Sequence, residues 1–349
     1  MLAAAHLQSQ LCATPQKCYY RFLSIFKQLN TMIKYYIKDK NRQLKELSKP
    51  VKGAWINVYP PYTHEELKQL SEELDISTDF FIDSLDIDER SRYEQEDGVR
   101  FIVVNIPIKN ETDTENSYDA LYLTAPIGIV EVDDYIVTIS AFKNLVVDHF
   151  LLTDVKSFDT KDHSLFVLLF FERTVHYFLH FLKNMNHQRN LYEKELFNAI
   201  RNQELSKLMR LQKSLVYFVT TLRDNELMML RMQRTDFLNI KDREEESDFF
   251  GDIMIDMNQA QEMSQIYTNI LNATMEAFAS IISNNMNTIM QRLTSITIVL
   301  MVPTLVASFY GMNVPLWGQD NPYAFLEILL LSIVLATIIV WFFRRKRLF

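Results

Sequence analysis

The amino-acid sequence predicts an α+β domain at the front, a long stalk helix behind it and two membrane-spanning helices at the end. Three observations carry that expectation. No proline occurs between Pro126 and Pro303 and no glycine between Gly128 and Gly251, and so long a breaker-free stretch of strong helix formers reads as long helices. No charged residue lies between Arg292 and Asp320, which leaves roughly 40 Å of uncharged helix at about 1.5 Å per residue, more than a bilayer core requires. A second apolar segment runs over 323–343, with Glu327 one turn inside its outer end.

Taken in order, residues 1–31 are expected to be a variable or disordered tail. Their apolar start is interrupted by His6, Gln8, Ser9 and Gln10 and has no positive region before it, which argues against a signal peptide, and Met32 offers an alternative start. Residues 32–163 form the α/β domain. Within it, 54–58 (Ala-Trp-Ile-Asn-Val) reads as a strand, and after Pro60-Pro61 a helix opens at Thr63 with Glu66 three residues on, a capping-box pattern. Further strands are expected at 101–106, 119–123, 127–132 and 135–140, with Asp133-Asp134 turning a hairpin between the last two. The very apolar run 164–171 is too short to span a bilayer and is expected to be the buried start of a helix, so 164–250 reads as long cytoplasmic helices.

From Met257 to Arg292 the only charges are Glu262, Glu276 and Arg292. A helix exposed on all sides would carry more charge, so this one is expected to be surrounded by protein. The stalk helix, 251–312, then continues into the first span as one helix of about sixty residues, roughly 90 Å long. A short loop, 313–322, leads to the second span, 323–343, and a basic tail, 344–349. Lys and Arg are absent between Arg292 and Arg344 but flank both outer sides of the pair. The positive-inside rule therefore puts the loop outside the cell membrane and both termini in the cytoplasm.

The formal net charge of −8 argues against a nucleic-acid partner, and the acid-rich stretch 242–252 suits a surface that concentrates cations. The two cysteines, Cys12 and Cys18, both lie in the tail, so no disulfide framework is expected.

Counting in heptads through the membrane entry puts Asn287, Thr294, Met301 and Ser308 at one position and Met290, Thr297, Thr304 and Gly311 at another, on one face of a helix otherwise rich in Ile, Leu and Val. Such a stripe suits close helix packing. With Asn287 and two methionines on it, it also suits a water-filled path, in which polar rings alternate with hydrophobic constrictions that gate by dewetting. Leu293 lies beside the stripe and is an alternative constriction to Thr294. After the first span stands Tyr310-Gly311-Met312-Asn313. The neutral Asn313 amide could hold a hydrated divalent cation through its water shell without stripping it, and weak binding is what conduction needs.

The Tyr-Gly-Met-Asn tetrapeptide between two terminal spans, preceded by a long polar helix and followed by a basic tail, resembles the signature of the CorA-type magnesium and divalent-cation channels, over about residue 32 to the end. One departure is the loop, where Asp320 is the sole charge between Val314 and Pro322. The resemblance implies a funnel-shaped homo-oligomer, a pentamer, with the first span lining the pore. It implies passive uptake of hydrated Mg²⁺, with Co²⁺ and Ni²⁺ as further cargo, gated by cytoplasmic Mg²⁺. It also implies a selectivity filter at Gly311, Met312 and Asn313, gates at Met290, Leu293 and Met301 with an inner polar ring at Asn287, and a regulatory cation held by Asp252 with Asp83, Asp86 or Asp88 of a neighbour, with Glu276 as a secondary acidic site. No organic cofactor is implied.

No phosphate loop and no nucleophile motif supports an enzyme, and no ionisable residue in the first span supports a proton relay. His176 and His180, four apart, lack the Glu of a His-Glu-x-x-His site and read as interface histidines. Two alternatives to a magnesium channel are a zinc transporter of the same superfamily and a membrane-anchored structural or sensory coiled coil.

Overall fold

The computed structural model describes residues 32–38, 44–110, 119–153, 155, 158–198, 202–312 and 322–346. The chain divides into two compact units, Met1–Asn272 and Ala273–Phe349. The strands are β1 (Met32–Lys38), β2 (Leu44–Leu47), β3 (Trp55–Tyr59), β4 (Arg92–Glu96), β5 (Val99–Lys109), β6 (Tyr122–Val132) and β7 (Tyr135–Ser140), and they form a seven-stranded sheet in the order β2-β1-β3-β7-β6-β5-β4. Among the described strands only the β3–β7 pair is parallel. The helices are α1 (His64–Leu74), α2 (Thr78–Leu85), α3 (Leu145–Leu152), α4 (His163–Asn198), α5 (Asn202–Thr235), α6 (Glu244–Tyr310) and α7 (Ala324–Arg345).

Both faces of the sheet are covered, which is why its central strands are apolar without alternation. On one face Ile56, Val58, Phe101, Val103, Val130, Val137 and Ile139 meet Leu67 and Leu70 of α1 and Phe80 and Phe81 of α2. On the other, the Trp55 ring stands edge-on to Phe150 of α3, to Phe158 and to Phe166 of α4. Trp55 is fully buried, so its indole N–H needs a partner; it donates to the Thr138 hydroxyl at 2.8 Å, which donates in turn to Asn57 Oδ1 at 2.9 Å.

The α1 capping box forms as expected: the Glu66 amide donates to Thr63 Oγ1 and the Thr63 amide to Glu66 Oε2. The Asp133-Asp134 hairpin forms too, with Val132 opposite Tyr135. In place of the two strands expected at 119–123 and 127–132, one strand, β6, runs through Pro126. Asn105, opposite Pro126, sends both its backbone groups the other way, its amide donating to Asn225 Oδ1 (3.2 Å) and its carbonyl accepting from Asn225 Nδ2 (2.8 Å). The proline nitrogen thus faces the β7 side, where pairing has already ended at Ile127–Ser140, and no ladder bond is lost.

Three helices are long and apolar enough to cross a membrane among the described residues, but more than half (56%) of the most apolar window of α4 is buried in the first unit, against 6% for α6 and α7. Gly251, expected to open the stalk helix, lies inside α6, which starts at Glu244. Three acids in that first turn face the positive end of the helix dipole, a favourable start that a glycine further on does not undo.

Candidate ion path and cation-binding residues

Beyond Ile282 the sheltered residues of α6 are Ser295, Val299, Val302, Pro303 and Val306, and those of α7 are Ile328, Ser332, Leu335, Ala336, Ile339, Val340 and Phe343. Each set follows a spacing of three and four, one face of a helix. The two faces meet: Pro303 lines one groove with Ser332, Ala336 and Val340. Ser295 and Ser332, only 5% and 7% exposed, bring small side chains to the buried faces, where they permit close approach.

Asn287, Met290, Leu293, Thr294, Thr297, Met301, Thr304, Ser308 and Gly311 are all exposed. With a turn of about 100° per residue they lie roughly half a turn from the face of α6 that α7 covers. Met290, Leu293 and Met301, at 53%, 58% and 62% exposure, present large apolar side chains between the polar ones. The Thr297 and Thr304 hydroxyls donate to the carbonyls of Leu293 (2.9 Å) and Leu300 (2.8 Å). Their protons are committed to the helix, so what they offer outward is acceptor oxygen, the polarity that water bound to a cation seeks.

α6 ends at Tyr310. The Gly311 amide still reaches the Ala307 carbonyl at 3.0 Å. Gly311 is not among the glycines with positive φ, and a Cβ there would sit 3.3 Å from the Ala307 oxygen, a tight fit. Met312 is exposed. Asn313 and Asp320 lie outside the described residues.

In the first unit Asp252 is exposed on α6, and Glu276, further along the same helix in the second unit, is exposed as well. Asp83, on α2, is not a free carboxylate. Arg92 Nη2 donates to it at 2.7 Å, Arg92 Nε donates to Glu94 at 2.7 Å, and Arg92 Nη1 binds Glu89. Asp86 and Asp88 are exposed beyond the end of α2. No group of three or more His, Cys, Asp or Glu side chains able to hold an ion occurs among the described residues, His176 and His180 included. Burial, with Arg173 nearby, holds His176 below the usual histidine range.

The family model described as "CorA-like Mg2+ transporter protein" matches residues 52–345. The chain belongs to the CorA family. A curated relative, the cobalt/magnesium transport protein CorA of Methanocaldococcus jannaschii, is 28% identical over 299 residues, covering 84% of this chain and 90% of its own. The complete structure of the CorA magnesium transporter from M. jannaschii superposes with a TM-score of 0.75 at 24% identity, covering 91% of this chain and 99% of that one. The cytoplasmic domain of ZntB from Vibrio parahaemolyticus shares the fold more distantly, with a TM-score of 0.55 at 11% identity over 74% of this chain and 99% of that one.

Within this CorA protein, Arg92 is the residue near the acidic candidates that sequence reasoning missed. Its signal was legible: Asp97-Gly98 is a strong hairpin dipeptide, and it joins β4, which begins at Arg92, to β5.

Proposed function

We propose that this CorA protein is a multi-pass membrane channel that takes up hydrated Mg²⁺, with Co²⁺ and Ni²⁺ as possible further cargo, and that it works as a homo-oligomer in which the α6 helices of neighbouring copies surround the path. The observation that carries the reading is the stripe from Asn287 to Gly311: polar oxygens and three large apolar side chains on the face that α7 leaves uncovered. A lone helix would present such oxygens to lipid, at a cost. A ring of helices turns them to water, and the copy number that best matches the family resemblance is five.

Along such a path Asn287, Thr294, Thr297, Thr304 and Ser308 hold the water shell of the ion by accepting hydrogen bonds, while Met290, Leu293 and Met301 close the path by excluding water when they converge. Gly311, Met312 and Asn313 form the outer entrance. The neutral Asn313 amides select a hydrated divalent ion and let it go again. No energy source beyond the membrane potential is required, since a divalent cation crossing about −100 mV gains roughly 4.6 kcal/mol.

Closing is assigned to cytoplasmic Mg²⁺ bound between Asp252 of one copy and an acid of the α2 end of the next, with Glu276 as a secondary site. Two facing carboxylates repel unless a cation lies between them, so bound Mg²⁺ favours the closed arrangement. An ion at Asp83 has to compete with the Arg92 guanidinium, whereas Asp86 and Asp88 stand exposed.

Purified full-length protein in proteoliposomes tests the reading. It should pass Mg²⁺ down an imposed potential, and Asn313→Ala should abolish that flux while oligomer assembly persists. Wild-type flux from a correctly assembled Asn313→Ala protein would remove the filter from this position, and no flux from the wild type would remove the channel.

A further inference from the structure

The connection from α2 to β4, residues 86–91, carries the exposed acids Asp86 and Asp88 and has no apolar anchor. No residue from Leu85 to Gly98 is buried, so side-chain burial does not fix the path of this segment. Polar contacts hold it instead. Near α2 the chain turns on itself: the Asp88 amide donates to Asp86 Oδ1 (3.1 Å) and the Glu89 amide to the Asp86 carbonyl (3.0 Å). At the β4 end the holders come from distant parts of the chain. Asn105 of β5 donates through Nδ2 to the Glu89 carbonyl (3.0 Å) and to Ser91 Oγ (3.1 Å), and the Ser91 hydroxyl donates to Asn225 Oδ1 of α5 (2.5 Å).

Asn225 is fully buried, with the apolar Leu222, Met228 and Met229 beside it on α5. A polar side chain in such a place is costly unless it is bonded. Its Oδ1 accepts from Ser91 and from the Asn105 amide, and its Nδ2 donates to the Asn105 carbonyl. One side chain thus joins α5, β5 and the α2–β4 connection. Arg92 grips the same segment through Glu89 and reaches back to Asp83. Those are contacts between partly exposed charges, and a divalent cation at the carboxylates competes with the guanidinium for them. The Asn225 amide is neutral and out of water, so an ion at the exposed acids leaves its bonds in place.

We propose that Asn225 is the positioning residue of the regulatory cation site: through Ser91 it fastens the α2–β4 connection to α5 and so fixes where Asp86 and Asp88 stand toward a neighbouring copy. This rests on the reading given above, in which Mg²⁺ lies between Asp252 of one copy and an acid at the α2 end of the next. Two carboxylates on separate copies share an ion well only when each is already held in place. Otherwise the apparent affinity falls with the fraction of time that the segment spends in the binding arrangement. Asn225 itself touches no ion and acts on the two acids through the backbone that Ser91 and Asn105 hold.

Mg²⁺-dependent protease resistance of the detergent-solubilised full-length protein tests this. Asn225 also supports β5, so the informative change is Ser91→Ala, which cuts the link to the connection and keeps the Asn225–Asn105 pair. It should raise the Mg²⁺ concentration at half protection by about fivefold, the change in an equilibrium that loss of one hydrogen bond produces. Ser91→Thr, which keeps the hydroxyl, should keep the wild-type midpoint. Tyr93→Phe is the comparison: it removes the hydroxyl contact between β4 and Thr235 of α5 (3.2 Å), away from the acids, and should leave the midpoint unmoved. An unchanged midpoint in Ser91→Ala, or an equal rise in Tyr93→Phe, overturns the assignment of Asn225 while Mg²⁺ gating stands. Wild-type protease resistance that does not respond to Mg²⁺ overturns the reading beneath it, and the assignment with it.

Discussion

Gly128→Ala tests how α2 is seated on the sheet. Gly128 stands in β6 opposite Val103 of β5 and Ile139 of β7, on the face that α2 covers. A Cβ built there would lie 1.8 Å from Ser84 Oγ and 2.7 Å from Ser84 Cβ. Rotating the serine relieves only the first clash, and the hydroxyl is already committed to the Phe80 carbonyl. The second contact is fixed by the helix backbone, so α2 must lift until 2.7 Å becomes an ordinary 3.4 Å. Lifting α2 loosens Phe80 and Phe81 in the core. Overpacking of this kind costs about 1–3 kcal/mol, and with two core phenylalanines displaced the upper half of that range is expected. Denaturant titration of the detergent-solubilised chain measures the loss. Ser84→Gly removes both clashing atoms at a cost of about 0.5 kcal/mol in helix propensity, so Gly128→Ala/Ser84→Gly should be more stable than the sum of the single changes, by about 1–2 kcal/mol. A Gly128→Ala protein within about 0.5 kcal/mol of wild type, or strict additivity in the double variant, would refute the close seating of α2. Since Asp83 follows Phe81 on the same helix, the variant should also loosen the Asp83–Arg92 pair.

Two further outcomes follow from the proposed channel. Met301→Ser should raise resting leak in a proteoliposome flux assay, because a hydroxyl in the constriction eases its hydration; an unchanged leak would place Met301 against lipid or a neighbouring helix. Asp252→Lys should make the protease resistance of the cytoplasmic part independent of Mg²⁺, a fixed positive charge replacing the ion, and protection that still titrates with Mg²⁺ as in wild type would move the sensing site elsewhere.

Much of the fold was legible because the strongest signals are local. The Thr63–Glu66 box, the Asp133-Asp134 turn and the apolar central strands declare themselves within a few residues. The elements that went unread depend on distant partners. β4, reading Arg-Tyr-Glu-Gln-Glu, looks like a solvated run because it is an edge strand, and only its pairing with β5 makes it a strand. β6 was split in two because Pro126 reads as a breaker, whereas its neighbour Asn105 is satisfied by a side chain more than a hundred residues away. The stripe could be counted from the sequence, since the helix period requires no partner. That Asp83 faces Arg92 could not, because that contact depends on how α2 and β4 pack.

The polar part of α6 raises a question of what covers it. Ile255, Ile266 and Ile270 are exposed there, separated by eleven and four residues, and therefore fall within about 60° of one another on the helix. They precede the uncharged segment that begins after Arg292, so lipid tails are not their natural cover. Exposed isoleucines aligned along one face of a helix call for a protein surface. Asp252, one turn before Ile255, is on that same face. Glu262, Gln259 and Asn269 are exposed on that side as well, so the face is mixed, and a carboxylate that meets a cation there makes the contact depend on the ion. The isoleucines fit the second copy of the chain proposed above as the cover, and Asp252, at the near end of the row and the edge of its arc, fits the proposed point of Mg²⁺ action on that contact.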